Sequence, residues 1–244
     1  MKKYDFNKLT NILEVVKLRE SFDLTDPLWQ KAEIRLRELL TKKYGDEQAL
    51  CLKSTFIPNY IKPGFVSIKD IRMADGTTLD FINDLARIAV FIPRAYCEYN
   101  PLYKQIIPYI IGVTPDNKVF TMQRIEGDDR LVGKLSIGIG GHINIEDEGT
   151  NTIMAGAKRE IAEEVDGVSN KAFFTFEGFL YDPSDLVGLD HIGFVFFLRL
   201  SDDTISIKEV DKLKGFLSTT EELSTKYVLM ENWTQIVFDN LLKK

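Results

Sequence analysis

The chain has 244 residues, with 44% hydrophobic and 11% aromatic positions, and 37 Asp and Glu outweigh 31 Lys and Arg to leave a net charge of −6. That length and apolar content support a sizeable core and exclude a disordered polymer. The acidic balance excludes a protein that wraps nucleic acid, which needs a basic face to displace phosphate counterions.

In chain order, residues 5–20 carry apolar positions at helical spacing, and "TDPLWQKAEIRLRELLTKKYG" predicts a second helix. Thr25 or Asp26 is its cap, Pro27 lies in the first turn and Gly45 is the stop. Its stripe of Leu28, Ala32, Leu36, Leu39 and Leu40 must be covered by the other helix, by the rest of the chain or by a second subunit in a homodimer. "STFIPNYIKPG", with two prolines and a glycine, marks a break, and we divide the chain into a helical extension, 1–66, and a main domain, 67–244. Two strands follow over residues 106–113 and 118–125, joined by a turn at 114–117. "KLSIGIGG" predicts a short strand ending on glycines, residues 152–165 an acidic helix, "AFFTFEGFLYD" and "IGFVFFLRL" further strands, and "LMENWTQIVFDNLLK" a closing helix. Strands that alternate with helices indicate an α/β fold with a mixed sheet covered on both faces.

Cys51 and Cys97 stand in no CxxC and beside no histidine cluster, so they suggest neither a disulfide framework nor a zinc site, and a reduced cytoplasmic compartment is expected. No run approaches the roughly 20 apolar residues of a membrane span, and the basic start lacks the uninterrupted apolar region of a signal peptide.

The chemistry concentrates in "GGHINIEDEGTNTIMAGAKREIAEEVDG", residues 140–167. Glu160, Glu163 and Glu164 fall at i, i+3 and i+4 and share one helix face. Carboxylates so close raise one another's pKa, and a hard divalent cation removes the conflict, because Mg²⁺ takes oxygen ligands from a few carboxylates and substrate phosphate. Gly138, Gly140 and Gly141 interrupt the preceding strand, as where a backbone approaches another group closely.

Residues 141–167 resemble the signature of the Nudix (MutT-like) hydrolases: a glycine, five residues, Glu, seven residues, then Arg-Glu, an apolar residue, any residue, Glu-Glu, any residue and Gly. Gly141 and "REIAEE" at 159–164 carry the resemblance, supported by "GKLSIGIGGHI" before and "GFLSTTEEL" after. Two departures stand out. Seventeen residues separate Gly141 from Arg159 where the pattern has thirteen, so the loop acid is either Asp147 or Glu148; and Asp166 takes the place of the final glycine, with Gly167 one later.

The resemblance implies a Nudix-type α/β/α sandwich and a metal-dependent pyrophosphohydrolase that cleaves a diphosphate in a nucleoside diphosphate derivative or related small molecule. It further implies Mg²⁺ or Mn²⁺ held by Glu160, Glu163 and Glu164 with Gly141, and an Arg159 that pairs with the loop acid. Glu209 is the candidate general base, with Asp211, the loop acids Asp147 and Glu148, or Asp185 and Asp190 as alternatives. Gly140, Gly141, His142 and His191 are candidate substrate contacts, and Tyr96, Tyr103 and Tyr109 read as core aromatics that could instead stack on a base. The rival to an enzyme is a silent ligand-sensing or assembly module of the same fold, suggested by the lengthened loop.

Overall fold

The computed structural model describes residues 4–57, 61–71, 82, 85–126, 132–184 and 186–243. Helices α1 (Ile12–Glu20) and α2 (Pro27–Tyr44) start on side-chain caps, Asn11 accepting from the Glu14 amide and Asp26 from that of Leu28. Pro27 opens α2, and Gly45 closes it at φ 57°, a backbone region costly for other residues. Val15, Val16, Leu36 and Leu40 are fully buried against one another and Ala95, so the two stripes cover each other. Arg37 fastens the pair to the segment that follows: its Nη1 donates to the carbonyls of Ala95 (2.7 Å) and Glu98 (2.8 Å), and its Nε to Glu33.

Among the described residues the main sheet has nine strands. They are β1 (Gln48–Lys53), β2 (Gly64–Ser67), β3 (Val90–Pro93), β4 (Tyr103–Val113), β5 (Val119–Arg124), β6 (Leu135–Ser136), β8 (Phe173–Tyr181), β9 (His191–Arg199) and β11 (Leu213–Ser218). Its long path runs β11-β5-β4-β9-β8-β2, with β1 joining β3 and β4, and β6 joining β5. The short β7 (Val165–Asp166) and β10 (Ser206–Ile207) pair separately. The central β4 and β9 are parallel and buried on both faces, as their near-continuous apolar sequences require.

One face, with Ile106, Ile110, Ile192 and Phe194, packs beneath Ile153, Ala157 and Ile161 of the acidic helix, Thr152–Glu164. The opposite face, with Tyr109, Ile111, Val195 and Phe197, packs against Leu223, Val237 and Phe238 near the C-terminus. Numbering the helices in chain order, α3 is Arg94–Cys97, α4 the acidic helix, α5 Leu186–Asp190, α6 Thr220–Thr225 and α7 Asn232–Val237. The result is the expected α/β sandwich around a mixed sheet. No helix among the described residues is long and apolar enough to cross a membrane.

Three details depart from expectation. The "KLSIGIGG" strand shrinks to Leu135–Ser136 plus an isolated bridge between Ile139 and Ile110, because the backbone at Gly138 passes so near the Tyr109 ring that a Cβ would lie 2.0 Å from it. The closing helix widens after Val237 into π-type turns over Phe238–Leu242. Finally, β1 pairs with β4, so the sheet draws on chain from both sides of residue 66.

The mutual burial of α1 and α2 has a measurable consequence. Leu36→Ala is expected to lower the free energy of unfolding by about 2–5 kcal/mol in a denaturant titration; an unchanged midpoint would show that the helix pair contributes nothing to the cooperative unit.

Candidate active site

Helix α4 is laid on the sheet by Ile153, Ala157 and Ile161, and this fixes the direction of its carboxylates. Glu160 is buried beneath Gly141: a Cβ there would stand 2.7 Å from the Glu160 Oε2, so a larger residue would have to push the carboxylate aside. Gly140 is equally constrained, since its Cβ would meet the Pro108 carbonyl oxygen at 1.8 Å.

Arg159 ties the loop to the helix. Its Nη1 donates to Glu160 and to Glu163, each at 2.9 Å; its Nη2 donates to Asp147 Oδ2 at 3.0 Å and to the His142 carbonyl at 2.6 Å; its Nε reaches both Asp147 oxygens at 3.1 and 3.2 Å. Asp147 is buried and also accepts from the Asn144 amide at 2.9 Å, whereas Glu148 is exposed. Of the two loop acids it is therefore Asp147 that meets Arg159. The extra loop length is taken up by a 3₁₀ turn at Ile145–Asp147 and by a turn in which the Thr152 hydroxyl both accepts from the Gly149 amide and donates to its carbonyl.

The electrostatics follow from this burial. Although desolvation acts against its charge, Asp147 and Glu160 hold the Arg159 pKa above the ordinary range. Burial pushes Glu160 up, with Arg159 opposing. Glu164 is pushed up to about 7, first by burial and then by the charges of Glu160 and Glu209. Among the described residues, the group of three metal-ligating side chains whose donor atoms lie within 4.8 Å of one another is Glu98, His142 and His191, not the glutamate triad. The triad is held by a single Arg159 nitrogen that bridges Glu160 and Glu163, with Glu164 lining a cavity beside Gly140. Its donors remain hard oxygens at a site with one buried acid and one acid of raised pKa, a set that fits Mg²⁺ or Mn²⁺.

Beside Glu164 opens a cavity of about 210 Å³, walled by Ile107, Tyr109, Gly138, Gly140, Arg124, Lys134, Glu231 and Trp233, among others. Arg124 has a buried Nε without a hydrogen-bond partner. Tyr109 is buried, with its hydroxyl 2.9 Å from that of Thr234 and its ring edge-on to Trp233; Tyr96 is exposed and Tyr103 packs near the cysteines. Gly140 lines this cavity, and His142 and His191 do not: their Nε2 atoms face one another at 3.2 Å. Burial, with Arg94, His191 and Arg159 nearby, holds His142 well below the usual imidazole range.

The Lys208 amide donates to the Glu164 carbonyl at 2.9 Å, pinning the segment that carries Glu209 to the end of α4. Glu209 is exposed and pairs with Lys212 at 3.1 Å; Asp211 is exposed as well. Asp190 lies elsewhere, buried and accepting from the Tyr99 amide, and burial pushes it up to about 7. Asp185 falls outside the described residues. Sequence reasoning did not anticipate Arg124, Lys134, Glu231 and Trp233, which come from separate elements and carry no local spacing signal.

The Glu164 shift sets a pH dependence. Its folded pKa of about 7 exceeds the ordinary 4.5, so the fold favours the protonated form, and this contribution to stability is lost as pH rises from 4.5 through 7. In the absence of metal, Glu164→Gln should melt above the parent at pH 8, the difference closing toward pH 4.5. A variant no more stable than the parent at pH 8 would contradict the raised pKa of Glu164.

No protein-family model matches the chain. Protein YmaB of Bacillus subtilis (strain 168) is 31% identical over 157 residues, spanning 61% of this chain and 76% of YmaB. Among solved structures, Tm1382, which carries a provisional Nudix hydrolase assignment, is 28% identical and superposes with a TM-score of 0.66 over 80% of this chain and 98% of its own. The NUDIX domain of Shewanella oneidensis NrtR, crystallised with ADP ribose, is 13% identical with a TM-score of 0.41 over 50% of this chain and 77% of that domain, too distant to bear on the ligand here.

Proposed function

The chain belongs to the Nudix hydrolase family, and we propose that it is a metal-dependent pyrophosphohydrolase acting on a nucleoside diphosphate derivative or a related phosphorylated small molecule. The observation that carries this is the meeting of Glu160 and Glu164 with the glycines at 138–141, on the rim of a cavity that also presents Arg124, Lys134 and Trp233.

Glu160, Glu163 and Glu164, with the Gly141 backbone, would hold Mg²⁺ or Mn²⁺. Once bound, such a cation neutralises diphosphate charge and acidifies a water. The chain's own groups do the rest. Arg124 and Lys134 bind phosphate oxygens in the cavity, Arg124 through a donor that has no partner within the protein. Trp233, with Tyr109 behind it, offers an apolar face for a base or other planar moiety. Arg159 keeps the Asp147 loop closed on the helix, so that Gly141 stays over Glu160. Hydrolysis adds water across one P–O–P bridge: the attacking oxygen bonds to phosphorus, the bridging oxygen departs with the other phosphate, and Glu209, beside the end of α4, accepts the proton. The sensing alternative drew on the lengthened loop, and that loop is closed by the Asp147–Arg159 pair. Two free, buried thiols, Cys51 and Cys97, support a cytoplasmic location.

A screen of nucleoside diphosphate sugars, dinucleoside polyphosphates, ADP-ribose and nucleoside triphosphates with Mg²⁺ should find turnover of at least one class. On that substrate, Glu209→Gln is expected to lower kcat by about 10²–10⁴ while Mg²⁺ affinity stays near the parent value. Full activity in Glu209→Gln would remove it as the base, and absence of turnover throughout the screen would sink the catalytic proposal.

A further inference from the structure

Apart from the glutamate site, the fold gathers three side chains from distant parts of the chain: Glu98, just past α3; His142, one residue beyond Gly141; and His191, the first residue of β9. Their donor atoms all lie within 4.8 Å of one another, with Glu98 and His191 buried and His142 half-buried. The two imidazole Nε2 atoms are 3.2 Å apart. Two nitrogens bound to one tetrahedral Zn²⁺ at about 2.0–2.1 Å stand roughly 3.3 Å apart, so the pair is already spaced as ligands of a single ion. We propose that Glu98, His142 and His191 form a second metal centre, separate from the α4 glutamates, for an imidazole-preferring divalent ion of the Zn²⁺ class.

Donor chemistry sets the two sites apart. Mg²⁺ is served by carboxylate, carbonyl and water oxygens, whereas two imidazoles and a carboxylate suit Zn²⁺ and its transition-metal neighbours. Arginines anchor the Glu98 carboxylate and the backbone that carries two of the three residues. Arg94 Nε donates to Glu98 Oε1 at 3.0 Å while its Nη1 engages Glu47 at 2.7 Å, Arg37 holds the Glu98 carbonyl, and Arg159 holds the His142 carbonyl. The first of these orients the Glu98 carboxylate, and the other two hold the backbone from which Glu98 and His142 project. The Cys51 and Cys97 thiols, though close by, donate to the Ala49 and Arg94 carbonyls at 3.4 and 3.5 Å and stand outside the ligand set.

Gln105 supplies an independent sign. It is fully buried, and neither its amide oxygen nor its amide nitrogen has a hydrogen-bond partner. In the sheet it lies between His191 of β9 and Cys51 of β1, so its side chain leaves on the same face as His191. Native interiors rarely leave both halves of a buried amide unmet. Three protein ligands leave a fourth tetrahedral position for water or a substrate oxygen, and the unmet Gln105 amide is the polar group on that sheet face suited to receive one. Two residues along β9 from His191, roughly 7 Å, Gly193 underlies Trp233 of the substrate cavity, which places this centre beside the proposed binding site.

The competing explanation is a hydrogen bond between two neutral imidazoles with no ion. Titrating chelator-treated, full-length protein with Co²⁺ distinguishes them, because four-coordinate Co²⁺ absorbs visibly where hydrated Co²⁺ barely does. We expect one equivalent of this absorption, displaced by one equivalent of Zn²⁺ and untouched by excess Mg²⁺. It should persist in Glu163→Gln and Glu164→Gln, and Co²⁺ affinity should fall by more than about 100-fold in His191→Gln and in the near-isosteric Glu98→Gln. Circular dichroism matching the parent separates ligand loss from misfolding in those variants. A parent with no such absorption overturns the proposal whether or not any variant folds. So does absorption that survives in folded Glu98→Gln and His191→Gln, or that disappears with the α4 glutamates.

Discussion

Everything at the candidate active site hangs on one guanidinium. Arg159 leaves α4 with five donors in a rigid fork and spends them on two helix acids, on both oxygens of Asp147 and on the His142 carbonyl. Without this internal cation, Asp147, Glu160 and Glu163 would repel one another in a partly buried setting. With it, the loop over residues 142–151 is closed against the helix. A lysine could not replace it, having one point charge where six directed hydrogen bonds reach five oxygens.

The sheet makes that arrangement possible by bringing the glycine run so close to β4 that larger residues would collide with Tyr109 and Pro108. This close approach ends the strand early, lays Gly141 over Glu160 and opens the cavity on the side of Trp233. The same passage carries His142 toward His191, so one short stretch of chain serves both the glutamates and the histidine pair. Such crowding of acids and arginines would be a poor way to stabilise a core, since buried ion pairs at best offset their own desolvation. It makes sense as preorganisation for a charged ligand.

Much of this was legible in the sequence because it is written in local spacing. Asp26, Pro27 and Gly45 bracket α2 as expected, and the i, i+3, i+4 glutamates with the preceding arginine mark α4 and the family resemblance in the sequence itself. The choice between Asp147 and Glu148 was not legible, since counting residues cannot show which acid a 3₁₀ turn points inward. β1 and β3 carry no such signal, since their pairing partners lie some forty or more positions away. The histidine pair spans 49 positions, and Cys51 and Cys97 meet only because β1 and α3 flank the start of β4. Long-range pairing leaves no periodicity to read, and the same holds for Arg124, Lys134 and Trp233, which become a site only when the sheet assembles them.

The central claim is that the α4 carboxylates are kept close, at a cost to the metal-free protein, in order to hold a hard cation. Thermal unfolding with and without Mg²⁺ tests this most directly, because Mg²⁺ favours the oxygen site over the imidazoles. At 100 times its dissociation constant, Mg²⁺ should stabilise the parent by about 2.7 kcal/mol, and Glu163→Gln and Glu164→Gln should lose most of that increment while folding normally. Variants that keep the full Mg²⁺ shift, or a parent that shows none, would contradict the account.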